Sequence, residues 1–411
     1  MKKFLSVILC IAMICALLPV LALGEAAEVK TATEVWASDD SPTGYFVTFR
    51  YPDADYGRAR IYGEWCFTDL HRVSRVSGCD PDPWKWKVGD FVCCNGAGWP
   101  TAEMTLNENG VWEYTIPLPN GNFNYRFILG GDPDAALTDT TGATISWDPS
   151  NVPFHAAFKD MSGYTYGDDL MSTIYVPFDP NKQVDDFTIE APRDGENGAL
   201  AAYHVADDLA DIVVYLPYGY DEAREGGYRV LYLAANMPTN TWFGLGAARN
   251  ILDNAIAEGL MEPVVAVCTP YSTYDAIINT YVPYVLENFN VSAARDDWAI
   301  TSYSASGVNS TAAIFDPDHF GWCAPMSTAA NQGILPEGAD FTDPLLKEKH
   351  ILYAAAMFET YWGTMLDEHP AMLLGLHDNG IEFATCWPLG THAWSTWRQA
   401  LTYMCTDWLW K

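Results

Sequence analysis

From about residue 171 onward, short and near-continuous apolar runs alternate with longer stretches of helical periodicity, and few folds accept that alternation. The apolar runs are ADIVVYLPYGY, RVLYLAAN, PVVAVCTP, DWAITSYS, HILYAAAMF and IEFATCWP. Between them lie GAARNILDNAIAEGL, YDAIINTYVPYVLENF, SGVNSTAAIF and TMLDEHPAMLLGLHDNG, with AWSTWRQALTYMCTDWLW at the end. A strand that is apolar along its whole length has both faces buried, and amphipathic helices between such strands supply the cover. The expectation for 171–411 is a three-layer α/β domain around a mostly parallel sheet.

The preceding region follows a different pattern. GYFVTFRY, RARIYGEW, GVWEYTIPL and FNYRFILGG are short, aromatic and β-branched, and turns such as Asn107-Glu108-Asn109-Gly110 and Pro119-Asn120-Gly121 separate them. Short strands with almost no helical period predict a β-sandwich over 27–160. The tract DPSNVPFHAAFKDMSGYTYGDD has no period, which places a linker at 161–170. At the other end, two lysines, an apolar stretch and small residues around Ala22 to Ala27 read as a secretory signal peptide, 1–26. The signal looks bacterial, so the expected location is extracellular.

The formal net charge of −31 opposes binding to phosphate backbones and anionic lipid, so neither nucleic acid nor a membrane surface is an expected partner. An aromatic content of 14%, with 16 tryptophans, exceeds what a core requires and fits surfaces that stack on sugar rings. Trp84, Trp86 and Trp99 fall in one insertion, DPWKWKVGDFVCCNGAGWP, where a sugar platform competes with plain packing of the insertion. Outside the leader the cysteines are Cys66, Cys79, Cys93, Cys94, Cys268, Cys323, Cys386 and Cys405. An exported chain permits disulfides, and with no C-x-x-C spacing no zinc site is expected. Acidic pairs such as Asp53 with Asp55 and Asp132 with Asp134 read as solvated turns rather than calcium ligands. The chain therefore calls for no metal and no cofactor.

The stretch WAITSYSASG, Trp298 to Gly307, ends an apolar strand in a turn of small residues just before a helix. That is the setting of a nucleophile elbow, with Ser304 at its apex and Ser302 and Ser306 where G-x-S-x-G has glycine. A serine-rich helix cap is the competing reading. His392, in PLGTHAWSTWRQAL, follows the last strand, where the order Ser…acid…His puts the base. The acid belongs after HILYAAAMF, and the next residue is Glu359; Asp367 lies farther on. The oxyanion needs two backbone N–H groups. Ala305 offers one, and Asn236 or Met237 the other, because Pro238 has none.

On these residues the chain from about 171 resembles the secreted carbohydrate esterases of the feruloyl and acetyl-xylan type, α/β hydrolases related to esterase D and enterochelin esterase. VVYLPYGYDEA, YRVLYLAAN, GAARNILDNAIAEGLMEPVVAV, YVPYVLENFNV, WAITSYSASG and GTHAWSTWRQAL occur in family order. The resemblance implies an α/β-hydrolase fold with Ser304 as nucleophile and His392 as base, the family's aspartate falling at Glu359 or Thr360. The family's His-Gly-Gly loop is Ala235-Asn236-Met237 here, and its elbow glycines are Ser302 and Ser306. VTFRYPDADYGRARIYGEW, MTLNENGVWEYTIPL, NYRFILGG and DPSNVPF resemble the immunoglobulin-like, starch-binding-module-like domain that often precedes such esterases. Three functions follow as alternatives: a serine esterase acting on acylated plant polysaccharide or oligosaccharide, a non-catalytic descendant that binds carbohydrate, and an esterase for a non-sugar ester such as a siderophore lactone.

Overall fold

The computed structural model describes residues 29–71, 79–93, 99–153, 156, 171–235, 241–270, 272–328, 334–359 and 368–411. The expected signal peptide, the expected linker, Cys94, Asn236, Met237, Thr360 and Asp367 lie outside them.

The β-rich region contains β1 (Glu34–Ala37), β2 (Tyr45–Tyr51), β3 (Ala59–Gly63), β4 (Phe67–Thr68), β5 (Phe91–Val92), β6 (Thr101–Glu103), β7 (Thr105–Leu106), β8 (Trp112–Pro117), β9 (Gly121–Gly130), β10 (Ala143–Ser146) and β11 (Ser172–Val176). One antiparallel sheet runs β1-β2-β8-β7 and a second runs β10-β9-β3-β6. Val47, Phe49 and Ile116 from the first meet Ile61, Phe123, Tyr125, Phe127 and Leu129 from the second in one core. The long strand β9 explains why alternation is only partial in the sequence. Its odd-numbered aromatics face that core, yet Asn122 and Asn124 on the other face are also buried. They bond to Glu190 and Glu64.

β11 pairs antiparallel with β9, from Ser172 opposite Tyr125 to Val176 opposite Gly121. The β-rich part thus extends to Val176, five residues past the start expected for the second region. A strand that pairs across such a gap carries no local signature, because its partner rather than its neighbours fixes it.

The large sheet contains β12 (Ala199–Tyr203), β13 (Ile212–Leu216), β14 (Arg229–Ala234), β15 (Val264–Thr269), β16 (Trp298–Tyr303), β17 (Trp322–Met326), β18 (His350–Ala354) and β19 (Ala384–Cys386), in the order β12-β13-β15-β14-β16-β17-β18-β19. β12 and β13 are antiparallel additions, and β15 through β19 run parallel. Sequence reading omits β12 and β17. The latter reads WCAPM, and a proline inside a central strand argues against the assignment.

Successive residues of the central strands enter opposite cores, which is why these strands look continuously apolar. Leu231, Leu233, Ala266 and Ala299 pack with Ile251 and Leu401, from the helices Ala248–Ala257 and Trp394–Tyr403. Val230, Tyr232, Val267 and Ile300 pack with Val285, Ile314 and Leu376, from the helices on the other face. The first of these cores also takes in Cys66, Phe91, Cys93 and Trp99 from the β-rich region. Residues Ala32–Lys411 accordingly close into one compact unit.

Within the insertion, Trp86 and Trp99 are buried, Trp99 with its ring 5.6 Å from that of Tyr62, whereas Trp84 is 54% exposed. Packing accounts for two of the three tryptophans. Cys79 and Cys93 form a disulfide. Cys66, Cys268, Cys323, Cys386 and Cys405 are free thiols. Among the described residues, Cys66 and that disulfide pair are the group of metal-capable side chains that converges, all within 4.8 Å of one another.

Candidate active site

β16 ends at Tyr303, and a single turn, Ser304–Ser306, leads into the helix Gly307–Ile314. Ser304 takes φ +52°, the left-handed region that a side chain rarely adopts. Such a conformation costs of order 1–3 kcal/mol and persists only where its surroundings enforce it. Those surroundings are visible. Ser306 Oγ donates to Tyr303 O at 2.7 Å and approaches Ala234 O at 3.3 Å, tying the turn to the end of β14. Ser302 Oγ lies 2.5 Å from Ser310 Oγ and accepts the Ser310 N–H at 3.1 Å, tying the strand to the helix. The two serines at the expected glycine positions therefore fit as buried, hydrogen-bonded anchors.

Gly307 is the one position in the turn that rejects any side chain, since a Cβ there would lie 2.3 Å from Thr328 Oγ1. Tyr303 is wedged beneath the turn. Its hydroxyl lies 2.8 Å from Thr241 Oγ1, and its ring sits 4.6 Å from that of Trp394 and 4.3 Å from that of Trp397.

His392 Nε2 lies 2.8 Å from Ser304 Oγ, and His392 Nδ1 lies 2.8 Å from Glu359 Oε1. Glu359 is wholly buried and His392 nearly so, while Ser304 is half-buried. The segments that carry the acid and the histidine run side by side. Ala355, Met357 and Phe358 donate their N–H groups to Cys386, Pro388 and Gly390. The ring centroids of Trp397 and the imidazole lie 5.0 Å apart, with the ring planes 86° apart. The imidazole is thus held between Ser304 Oγ, the Trp397 ring and the Glu359 carboxylate, and a carboxylate beside Nδ1 favours the proton there and leaves Nε2 to accept.

The structure brings Ser304, His392 and Glu359 into one line of contacts. Ala305 is exposed on the first turn after Ser304, where backbone N–H groups lack intrahelical partners. The Ala235 N–H is spent on Thr269 O at 3.0 Å, so β14 offers no free donor before residue 236. Two contributors have no sequence signal. Thr391 and Phe358, the residues just before His392 and Glu359, are held by Cys93 and Phe91 of the β-rich region, far away in the sequence. Only the placement of β5 against these loops reveals them.

Residues 207–304, which end on Ser304, match the family described as "Putative esterase". An endo-1,4-beta-xylanase/feruloyl esterase of Xylanibacter ruminicola is 27% identical over 252 residues, covering 54% of this chain and 31% of that protein. The chain thus spans about a third of the length of that relative. The enterobactin esterase of Shigella flexneri superposes with a TM-score of 0.52 at 15% identity, over 92% of this chain and 96% of that one. A ferulic acid esterase of Anaeromyces mucronatus covers 55% of this chain and 96% of its own, with a TM-score of 0.45 and 15% identity. The chain has an esterase-type α/β-hydrolase fold, and the family match covers the strands that lead to the elbow.

Proposed function

We propose that this chain is an exported serine esterase that hydrolyses acyl esters, feruloyl or acetyl, on plant polysaccharide. The observation that carries the reading is the unbroken line from Ser304 Oγ through both imidazole nitrogens of His392 to a fully buried Glu359, each step 2.8 Å. A serine that merely capped a helix would need neither a left-handed backbone nor a histidine backed by a buried acid. The match to the xylanase/feruloyl esterase supports the substrate class. On the same reading the β-rich region is an immunoglobulin-like module, and residues 1–26 direct export.

In the reaction, Ser304 Oγ attacks the ester carbonyl carbon while its proton passes to His392 Nε2. Glu359 stabilises the imidazolium that forms. The oxyanion is received by the Ala305 N–H and by that of Asn236 or Met237. His392 then gives its proton to the departing sugar hydroxyl, leaving an acyl-serine. Water, deprotonated by the same imidazole, releases the acid and restores Ser304.

The direct test is hydrolysis of nitrophenyl acetate and methyl ferulate by the mature protein and by Ser304→Ala. Turnover that disappears in the variant supports the assignment. Equal turnover in both would remove Ser304 from the role of nucleophile, and none in either leaves the non-catalytic carbohydrate-binding reading in its place.

A further inference from the structure

The catalytic loops are gripped from outside their own sheet. β4 and β5 form a hairpin, Phe67 opposite Val92 and Thr68 opposite Phe91. The ring of Phe91 lies flat on that of Phe358, centroids 5.6 Å apart and planes 10° from parallel. Phe358 immediately precedes Glu359. Just past Phe91, the Cys93 carbonyl accepts the Thr391 hydroxyl at 2.7 Å, and Thr391 immediately precedes His392. Thr391 is itself fixed, since its own carbonyl accepts Thr396 Oγ1 at 2.7 Å.

The hairpin is in turn held shut. The Cys93 N–H donates to Cys66 O at 3.0 Å, and the Cys79–Cys93 disulfide closes the segment between them. One short hairpin therefore contacts both the residue before the acid and the residue before the base.

We propose that the β4–β5 hairpin is a positioning element of the catalytic machinery, with Phe91 setting the loop of Glu359 and the Cys93 carbonyl setting the loop of His392 through Thr391. This rests on the serine-esterase reading above. The two contacts act on different members of the triad, yet both come from β5 and the residue that follows it. That segment fixes the separation of acid and base while the large sheet fixes the nucleophile. Misplacing a catalytic group by about 1 Å costs on the order of a hundredfold in rate, so a looser grip acts on turnover rather than on substrate affinity.

The experiment uses the full chain with Phe91→Ala, Phe91→Leu, Thr391→Val and Thr391→Ser. Each is assayed for kcat and KM on nitrophenyl acetate from pH 5 to 9, for the rate at which a fluorophosphonate labels Ser304, and for melting temperature. Phe91→Ala and Thr391→Val are expected to lower kcat and the labelling rate about ten- to a hundredfold. Their KM is expected to stay within about twofold of wild type, and the acidic limb of the pH profile to move. Thr391→Ser, which keeps the hydroxyl, restores wild-type behaviour.

Should Phe91→Ala fail to fold, Phe91→Leu keeps the apolar volume without the stacked ring and carries the test. Folded variants with wild-type kcat, labelling rate and pH profile overturn the proposal, as does a change confined to KM. Failure of the esterase reading looks different: Ser304→Ala would then retain whatever turnover the wild type has.

Discussion

Glu190 Oε2 lies 3.2 Å from Arg398 Nε, and both side chains are almost wholly buried. Arg398 also reaches Glu64 Oε2 at 3.4 Å and donates to Leu245 O and Asn122 O at 2.8 and 2.7 Å. The three ionic groups come from three places: the end of β3, the segment ahead of the large sheet, and the last helix. Two carboxylates share one guanidinium, and Asn122, Asn124 and the Ser395 N–H supply further donors. This cluster joins the β-rich region to the helix that begins two residues after His392.

Arg398→Met should destabilise the chain by about 3–5 kcal/mol, because it leaves two buried carboxylates without a counter-charge. Chemical denaturation of the full chain measures it. A change of under about 1 kcal/mol would mean that water reaches the cluster.

Glu190 gives the pH dependence of this joint. Burial raises its carboxyl above the ordinary value of 4.5, with Arg398 pulling the other way. In the interval between those two values the folded state holds a proton that the unfolded chain has released. The contribution to stability is therefore complete below about 4.5 and is lost as pH rises through the raised value. Glu190→Gln cannot titrate. Melting curves from pH 4 to 7 should show the wild type losing ground to this variant as pH rises, and a constant gap between the two would contradict the argument.

Gly307→Ala separates helix propensity from packing. Its φ of −53° is ordinary helix, so alanine would on propensity alone add up to about 1 kcal/mol. The new Cβ would instead meet Thr328 Oγ1 at 2.3 Å and Thr328 Cβ at 2.7 Å. Lower melting temperature and lower turnover are expected together, since the shift falls on the turn that carries Ser304. Adding Thr328→Ala should recover only part of the loss, because its Cβ remains in the way.

These contacts show where sequence reading reaches its limit. The positions of Ser304, His392 and Glu359 were legible because a parallel sheet gathers reactive groups at the carboxyl ends of its strands, and chain order does the rest. The apolar runs located β13 to β16, β18 and β19 because strands covered on both faces are apolar along their length. β17 was not legible, since Pro325 reads against a central strand until Ser302 is seen paired with it. Nor was the joint between regions. Glu64, Asn122 and Asn124 look like surface polar residues, and only the docking of the last helix shows that they are buried together. Thr391 and Phe91 carried no local pattern at all, because their partners are set by tertiary placement.

The final prediction concerns the acid. Ser304→Ala and His392→Ala should each remove ester turnover, and Glu359→Ala should reduce it less, since the imidazole can still accept the serine proton when poorly oriented. Glu359→Gln is the sharper probe. A glutamine amide keeps the shape and the burial, but its NH2 group can donate to Nδ1 and drive the imidazole proton onto Nε2, where it would block acceptance from Ser304 Oγ, 2.8 Å away. A loss of roughly 10⁴ in kcat is the scale for that tautomer error. Glu359→Asp keeps the charge but, one methylene shorter, widens the present 2.8 Å gap to Nδ1, so it should fall between Glu359→Gln and wild type. If Glu359→Gln retains turnover close to that of wild type, Glu359 only fills space behind His392, and the orienting group must be sought elsewhere in the loop.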